Sequence, residues 1–252
     1  MSETETPSSH WLQADWPAPA NVRTLVTTRQ GGLSRQPFDS FNLGSHVGDD
    51  ADAVAANRAL LRQQLPAEPA WLYQVHGTQV VNAAQVSDTP QDADASFSNQ
   101  PDTVCVVMTA DCLPVLLCND AGTVVAAAHA GWRGLCSGVL EASVAATGVD
   151  PSSLMAWLGP AIGPDAFEVG AEVRSAFMAL DPAAEQAFTA IGEGKYLADL
   201  YLLARQRLTA QGVTRVYGGD FCTVIDRARF YSYRRDGITG RMASLIWLQA
   251  QA

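Results

Sequence analysis

Two histidines and one cysteine lie where apolar segments give way to small, turn-forming residues. His76 is found in YQVHGTQV, Cys112 in MTADCLPVLL and His129 directly after TVVAAA. Imidazole nitrogens and a thiolate are good Zn²⁺ ligands, and three protein ligands leave the fourth tetrahedral position open, as in catalytic zinc sites. A metal held in this way lowers the pKa of its bound water towards ~7. The three residues therefore predict a catalytic metal site.

The spacing of these residues along the chain leaves other interpretations open. Long segments separate them, unlike the CxxC pairs of structural zinc sites. Cys112 and one histidine could instead form a Cys–His pair for nucleophilic catalysis. Either histidine could also be a structural residue of the core. Which of these interpretations holds depends on whether the elements that carry the three side chains converge.

The elements that carry these residues alternate between strands and helices. Near-continuous apolar runs at 103–110 and 123–130 are typical of strands covered on both faces. A hairpin is predicted from 71–75 and 78–83 around His76 and Gly77, and Pro114 is expected to stop regular pairing just after Cys112. The remaining strands are expected at 23–28, 154–159, 215–218, 230–233 and 244–248, and the helices at 52–65, 134–150, 168–180 and 196–212. Since strand ends often form one ligand-binding rim in open α/β folds, the three side chains are expected to meet there.

The alternation of strands and helices predicts a mixed α/β (α+β) fold with helices outside the sheet. No internal repeat or Pro/Gly/Ser-rich linker divides the 252 residues. We therefore expect a flexible N-terminal tail over 1–20 and a single catalytic domain over 21–252.

Composition excludes several classes of protein. The net charge of −10 disfavours a nucleic-acid binder, since neutralising phosphates requires a basic surface. No stretch approaches the ~20 apolar residues of a membrane span. The start of the chain lacks a signal-peptide pattern, and five cysteines, an odd number, argue against a disulfide framework. These features predict a cytoplasmic protein without nucleic-acid or membrane partners.

Several longer motifs resemble one known family in their order and spacing. They are FNLGSHVGDD (41–50), QVHG (74–77), TADCLPVLL (109–117), HAGWRGL (129–135), LGPAIGPDAFEVG (158–170) and FYSYRRDGITGRMASLIW (230–247). Together they resemble the multicopper polyphenol oxidoreductase (laccase) family, also described as the purine nucleoside phosphorylase or peptidoglycan editing factor family. The resemblance extends from about Leu25 to Trp247 and departs at DADASFSNQ (92–100).

The resemblance implies both a fold and a ligand set. The fold has two mixed β-sheets flanked by helices, similar to the cysteine-hydrolase-like fold of toxin deamidases. The family's metal ligands correspond to His76, Cys112 and His129, with Zn²⁺ as the expected ion. Copper is the less favoured ion, because four histidines cannot supply the several centres of a multicopper oxidase.

The resemblance also implies three classes of activity. The first is purine nucleoside chemistry, comprising phosphorolysis of adenosine, inosine and methylthioadenosine together with deamination of adenosine. The second is hydrolysis that removes misincorporated serine from a muramoyl peptide precursor of peptidoglycan. The third is polyphenol oxidation. A Cys–His hydrolase and a non-enzymatic metal-binding protein remain further alternatives, and the oligomeric state is not predicted.

Candidate residues for nucleoside chemistry flank the predicted ligands. Asp111 is the candidate general acid or base, and Arg133 the candidate catalytic cation near the metal. Arg29, Asn42 and His46 are candidate substrate-binding residues for ribose or phosphate. Six arginines between positions 215 and 241, against three aspartates, indicate either surface charge or a local anion site.

Overall fold

The computed structural model describes residues 10–87 and 89–250. In chain order the strands are β1 (Val22–Val26), β2 (Leu72–Tyr73), β3 (Val80–Asn82), β4 (Gln91–Asp92), β5 (Ala95–Ser98), β6 (Cys105–Thr109), β7 (Leu113–Asn119), β8 (Val125–Ala130), β9 (Leu154–Leu158), β10 (Glu168–Gly170), β11 (Phe188–Gly192), β12 (Lys195–Ala198), β13 (Arg215–Gly218) and β14 (Met242–Leu248). The helices are α1 (Ala51–Arg62), α2 (Trp132–Ser137), α3 (Val139–Thr147), α4 (Ala171–Leu180), α5 (Leu200–Ala210) and α6 (Tyr233–Asp236).

A six-stranded mixed sheet forms the centre, in the order β13-β9-β7-β8-β5-β3. Its outer pairs, β13 with β9 and β3 with β5, are parallel, whereas the inner pairs are antiparallel. An antiparallel sheet of order β1-β14-β6 contributes a second layer. Two smaller sheets, β10-β12-β11 and β2-β4, complete the architecture. The predicted mixed α/β class is confirmed.

Alternating side chains on the strands form separate apolar cores on the two faces of the central sheet. On β7, Val115 and Leu117 pack with α3 and α5, whereas Leu116 and Cys118 pack against the β1-β14-β6 sheet. The opposite face of that second sheet packs against residues of α1 such as Leu61. Both sheets are thus covered on both faces, which explains the near-continuous apolar runs of β6 and β8.

The segment around His76 differs from the predicted hairpin. Strand β2 pairs in parallel with β4, and β3 pairs in parallel with β5, so the two strands flanking His76 do not pair with each other. The prediction was wrong because alternating short apolar runs around a glycine do not specify the strand partner. The turn that contains His76 instead joins two different sheets.

Two further predictions about strands are corrected by the structure. Pro114 lies inside β7 and is paired in register with His129, so it does not interrupt the strand. The expected strand at 230–233 is absent: Phe230 and Tyr231 are buried in an irregular segment, and Tyr233 begins the short helix α6. Adjacent aromatic residues are typical of a strand, but here they are buried without pairing to another strand.

The predicted helix over 134–150 is divided into α2 and α3 at Gly138, which has a φ of 106°. Only glycine adopts this left-handed conformation without strain, so it ends one helix and begins the next. The predicted helices at 168–180 and 196–212 each begin with a short strand, β10 and β12. Gly148 ends α3, as expected.

Residues 10–20, the described part of the predicted tail, include side chains that pack on the rest of the chain. Leu12 exchanges backbone hydrogen bonds with Val26, and the Trp11 ring lies 5.3 Å from that of Phe41. These apolar side chains pack on the edge and outer face of the second sheet. Residues 1–9 of the predicted tail lie outside the described residues. Within 10–87 and 89–250, no helix is long and apolar enough to cross a bilayer.

Asn57 of α1 connects this helix to the loop that precedes it. Its fully buried amide donates to Ser34 Oγ (3.0 Å), Ser40 O (3.1 Å) and Asn42 O (2.9 Å), and accepts from the Leu33 N–H (2.9 Å). The amide therefore fixes the 33–42 loop, which continues along the chain to His46.

We expect Asn57→Ala to lower the free energy of unfolding by about 2–4 kcal/mol, because it leaves several buried polar groups unpaired. Ala55→Ser, at an exposed position of the same helix, should change stability by less than about 0.5 kcal/mol. Urea unfolding of both variants measures the difference. Equal stabilities would contradict the role assigned to Asn57.

Candidate metal centre

Strand pairing brings the predicted ligands to one end of the central sheet. Antiparallel pairing aligns Leu113 with Ala130 and Pro114 with His129, so the start of β7 lies beside the end of β8. Cys112 immediately precedes β7, and His129 is the penultimate residue of β8. The parallel pair β3 and β5 brings the turn at His76 to the same end, because β5 pairs with β8.

The three side chains form a compact group. One ligand atom from each of His76, Cys112 and His129 lies within 4.8 Å of the other two. Cys112 Sγ is 3.8 Å from His76 Nε2, and the two imidazole rings meet edge to face at 4.8 Å. His129 is buried, Cys112 half-buried and His76 exposed, so the group opens towards solvent on one side.

A buried carboxylate, Asp94, orients both histidines. Its Oδ1 lies 2.8 Å from His129 Nδ1, so the Nε2 of that ring is left for the ion. The same carboxylate accepts the backbone N–H groups of Val75, His76 and Gly77 at 3.2, 2.9 and 2.6 Å. Burial alone would raise the pKa of Asp94, but the His129 and backbone hydrogen bonds hold it below its usual value.

The turn that carries His76 is fixed from its other side by Gln74. The Gln74 amide donates to Met108 O (2.8 Å) and accepts from Met108 N (2.7 Å), which ties the turn to the end of β6. His76 itself has a φ of 59°, an uncommon backbone conformation for a residue with a side chain. His76 is therefore positioned by hydrogen bonds to segments distant in the sequence rather than by strand pairing.

The two glycines of HAGWRG allow the ligand segments to approach closely. A Cβ atom at Gly131 would lie 3.0 Å from Cys112 Sγ and 3.0 Å from His76 Cδ2. A Cβ atom at Gly134 would lie 2.9 Å from the Gly77 carbonyl oxygen. The contact at Gly134 is too short for a side chain, and a side chain at Gly131 would push Cys112 or His76 aside by a few tenths of an ångström.

The electrostatics of the group favour the thiolate form of Cys112. Burial alone raises the pKa of this thiol, but His129 and His76 lower it to about 6. Burial lowers the pKa of His129, whereas the Cys112 thiolate and Asp94 raise it to about 9. Metal ligation requires a deprotonated cysteine, so the surroundings already favour the ligating form.

The residues fit a zinc ion. A tetrahedral ion with Zn–N of about 2.0–2.1 Å and Zn–S of about 2.3 Å holds its ligand atoms roughly 3.5 Å apart, close to the Cys112–His76 distance of 3.8 Å. The carboxylate on His129 Nδ1 is the typical outer partner of a zinc-bound histidine. Within the described ranges, this is the one group of three or more such side chains.

A cavity of about 400 Å³ opens over the group. Leu72, Met108 and Ala110 contribute apolar surface, and the exposed side chains of Tyr73 and Tyr233 flank it. The remaining lining residues are Gln74, Thr109, His46, Arg241 and the three ligands. The cavity thus combines an apolar and aromatic surface with a metal group and a cation, which suits a small polar ligand with a flat ring.

A family model described as multi-copper polyphenol oxidoreductase laccase matches residues 23–249. The chain belongs to this family.

Relatives of the chain in this laccase-like family carry a different functional name. A protein of Pseudomonas aeruginosa named purine nucleoside phosphorylase is 59% identical over 240 residues, covering 95% of this chain and 98% of the relative. The Escherichia coli protein named purine nucleoside phosphorylase YfiH is 58% identical over 242 residues, covering 95% and 99%. The resemblance predicted from the motifs is confirmed.

Solved structures of similar proteins have the same fold. The Neisseria meningitidis protein NMB0706 superposes with a TM-score of 0.94 at 58% identity, covering 96% of this chain and 100% of its own. YlmD from Geobacillus stearothermophilus gives a TM-score of 0.84 at 29% identity, covering 96% and 97%. The mixed α/β arrangement is therefore shared with proteins of known structure.

Asp111, predicted as a general acid or base, lies beside Cys112 but does not line the cavity. Its buried carboxylate accepts from Thr223 Oγ1 and from the Arg234 N–H, each at 2.6 Å. Asp111 has a φ of 92°, so the carboxylate also fixes a strained turn before Cys112. The hydrogen bonds of Asp111 thus position the turn that carries Cys112.

Two arginines that the sequence analysis predicted as site residues, Arg29 and Arg133, lie away from the cavity. Arg29 lines a separate surface cavity, where it pairs with Asp39 at 3.2 Å and lies over the Tyr231 ring. Arg133 is exposed and lies over the Trp132 ring at 4.6 Å, and Trp132 packs against the core beneath it. Neither arginine is among the residues that line the metal cavity.

His46 and Asn42 are placed differently from one another. His46 lines the cavity and stays a candidate for substrate binding. Asn42 is fully buried, and its Oδ1 accepts the backbone N–H groups of Gly44 and Arg241 at 2.9 and 2.8 Å. The amide thus connects the FNLGSH loop to Arg241.

Sequence reasoning missed Asp94, Gln74 and Arg241 as contributors to the site. Asp94 lies in DADASFSNQ (92–100), outside the motifs that suggested the site, and one acidic residue among several gave no signal. Gln74 was quoted only as part of QVHG. Arg241 ends the segment with six arginines and three aspartates. That excess of arginine was the one signal in the sequence that pointed to an anion site there.

We expect Asp94→Asn to weaken zinc binding by roughly 10- to 100-fold, the range observed for outer partners of metal-bound histidines. The amide cannot accept the backbone N–H groups and the His129 N–H together, so both histidines lose their orientation. Competition against a chromophoric chelator measures the dissociation constant. Asp92→Asn, an exposed carboxylate two residues earlier, is the matched control, and equal zinc affinity in the two variants would disprove the role of Asp94.

Proposed function

We propose that this chain is a zinc-dependent purine nucleoside phosphorylase that acts on adenosine, inosine and methylthioadenosine, and that it also deaminates adenosine. The single observation that supports it most is the convergence of His76, Cys112 and His129 at the base of a cavity large enough for a nucleoside. The names of relatives with 58–59% identity support the substrate class.

Zinc is the ion that the donor set favours. One thiolate and two imidazoles suit zinc and leave a position open for substrate. Copper binds similar ligands, but four histidines in the whole chain cannot build several copper centres. When bound, zinc would supply a Lewis acid at the base of the cavity.

The side chains around the ion perform the binding and orienting steps. Leu72, Met108 and Ala110 offer an apolar surface for a purine, and Tyr73 and Tyr233 offer aromatic rings at its edge. Asp94 holds His129 in the tautomer whose Nε2 faces Cys112, and thereby keeps the group assembled between turnovers. The apolar lining excludes water from the glycosidic bond, which favours attack by phosphate over hydrolysis.

We expect purified wild-type protein to release free purine and ribose 1-phosphate from inosine only when phosphate is present. Adenosine should also yield inosine, with or without phosphate. Chromatography of products from both substrates, with and without phosphate, separates the two activities. Release of serine from a muramoyl peptide precursor, with no change in either nucleoside, would contradict the proposal and favour the editing hydrolase.

Cys112→Ala should lose bound zinc and lower turnover of inosine by at least about 100-fold, because one of three ligands is removed. The fold should persist, since Cys112 lies outside the strands. Metal analysis and circular dichroism check both points, with Cys136→Ala as the matched cysteine control. Full zinc content and turnover in Cys112→Ala would disprove the metal site.

A further inference from the structure

Arg241 is the one arginine in the described part of the chain that lines the metal cavity. Burial lowers the pKa of its guanidinium, and the charges of Cys112 and Asp111 act in the opposite direction. Nη1 donates to the backbone oxygens of Thr239 (3.0 Å) and Gly240 (3.1 Å). To other described residues, Nε and Nη2 make no hydrogen bond, and no carboxylate lies within ion-pair distance of 4.0 Å. Five N–H donors in a planar fork suit an oxyanion better than any neutral ligand.

The backbone of Arg241 is fixed by the loop that also carries His46. The Arg241 N–H donates to Asn42 Oδ1 at 2.8 Å, and the Leu43 N–H donates to Arg241 O at 3.2 Å. A Cβ atom at Gly44 would lie 2.9 Å from Arg241 Cγ, so glycine is needed for the aliphatic part of the side chain to pass over the loop. The FNLGSH motif thus builds a support for this arginine.

His46 lines the same cavity as Arg241, and its surroundings favour the neutral form of its ring. Burial lowers the pKa of His46, and the charges of Arg241 and Arg58 lower it further. Arg58 is already engaged, since its Nε donates to Leu43 O at 3.0 Å and its guanidinium lies over the Trp71 ring. In a chain with a net charge of −10, a half-buried cation that has no carboxylate of the described residues at ion-pair distance favours an anionic ligand.

We infer that Arg241 and His46 form an orthophosphate subsite on the wall of the metal cavity, an inference that rests on the proposed phosphorolysis. Phosphate held there attacks C1′ of the ribose through one oxygen. The C1′–N9 bond breaks, its electron pair leaves with the purine, and the proton lost by dihydrogen phosphate passes to the purine. The products are free base and ribose 1-phosphate.

The zinc-loaded protein tests this subsite through its kinetics. Arg241→Ala should raise the KM for phosphate on the order of 10- to 100-fold, as loss of a hydrogen-bonded charge does. The KM for inosine and the zinc content should change by less than about threefold, because the backbone contacts to Asn42 and Leu43 persist. Arg241→Lys should recover part of the loss, since it keeps the charge without the fork. Arg23→Ala, at an exposed position of β1, controls for the loss of one positive charge.

Calorimetric titration of the zinc-loaded protein with inorganic phosphate alone separates this inference from the proposed function. Phosphate binding to wild type that is lost in Arg241→Ala supports the subsite even if no nucleoside is cleaved, in which case the proposed function fails alone. Phosphorolysis with an unchanged phosphate KM in Arg241→Ala overturns the subsite and leaves the function standing. A phosphate KM raised in Arg133→Ala or Arg29→Ala but not in Arg241→Ala overturns it as well.

Discussion

The buried carboxylate of Asp94 connects the segments that make up the metal centre. It accepts hydrogen bonds from the His129 ring and from three successive backbone N–H groups of the turn that contains His76. A charged group without solvent is costly unless its lone pairs are used, and here each oxygen has partners. The hydrogen bonds that hold the pKa of Asp94 below its usual value therefore also fix the orientation of the candidate ligands His76 and His129.

Close packing of backbone segments is the second constraint on the site. Gly131 and Gly134 occupy positions where a Cβ atom would press on ligand atoms or on the Gly77 carbonyl. Gly44 plays the same part beside Arg241. These glycines therefore contribute by leaving space for neighbouring atoms, and not by supplying functional groups.

Layered burial explains which elements the sequence predicted well. Strands β6 and β8 are covered on both faces, so their composition alone identified them. Strand β7 is equally buried, but it was missed because Pro114 was expected to stop pairing there. Amphipathic spacing located most helices to within a few residues, and Gly148 marked the end of α3. The hairpin around His76 and the strand at 230–233 were wrong, because short apolar segments do not specify which partner they pair with or whether they pair at all.

The sequence by itself determined the class of fold, the family and the three side chains of the candidate metal group, since residue type and local motif carry that information. Only the tertiary structure decided that Asp94 supports both histidines, that Arg241 reaches the cavity, and that Arg29 and Arg133 lie elsewhere. These facts depend on contacts between residues far apart along the chain, such as Asn42 with Arg241. Such contacts are set by strand order and register, which no local pattern of side chains encodes.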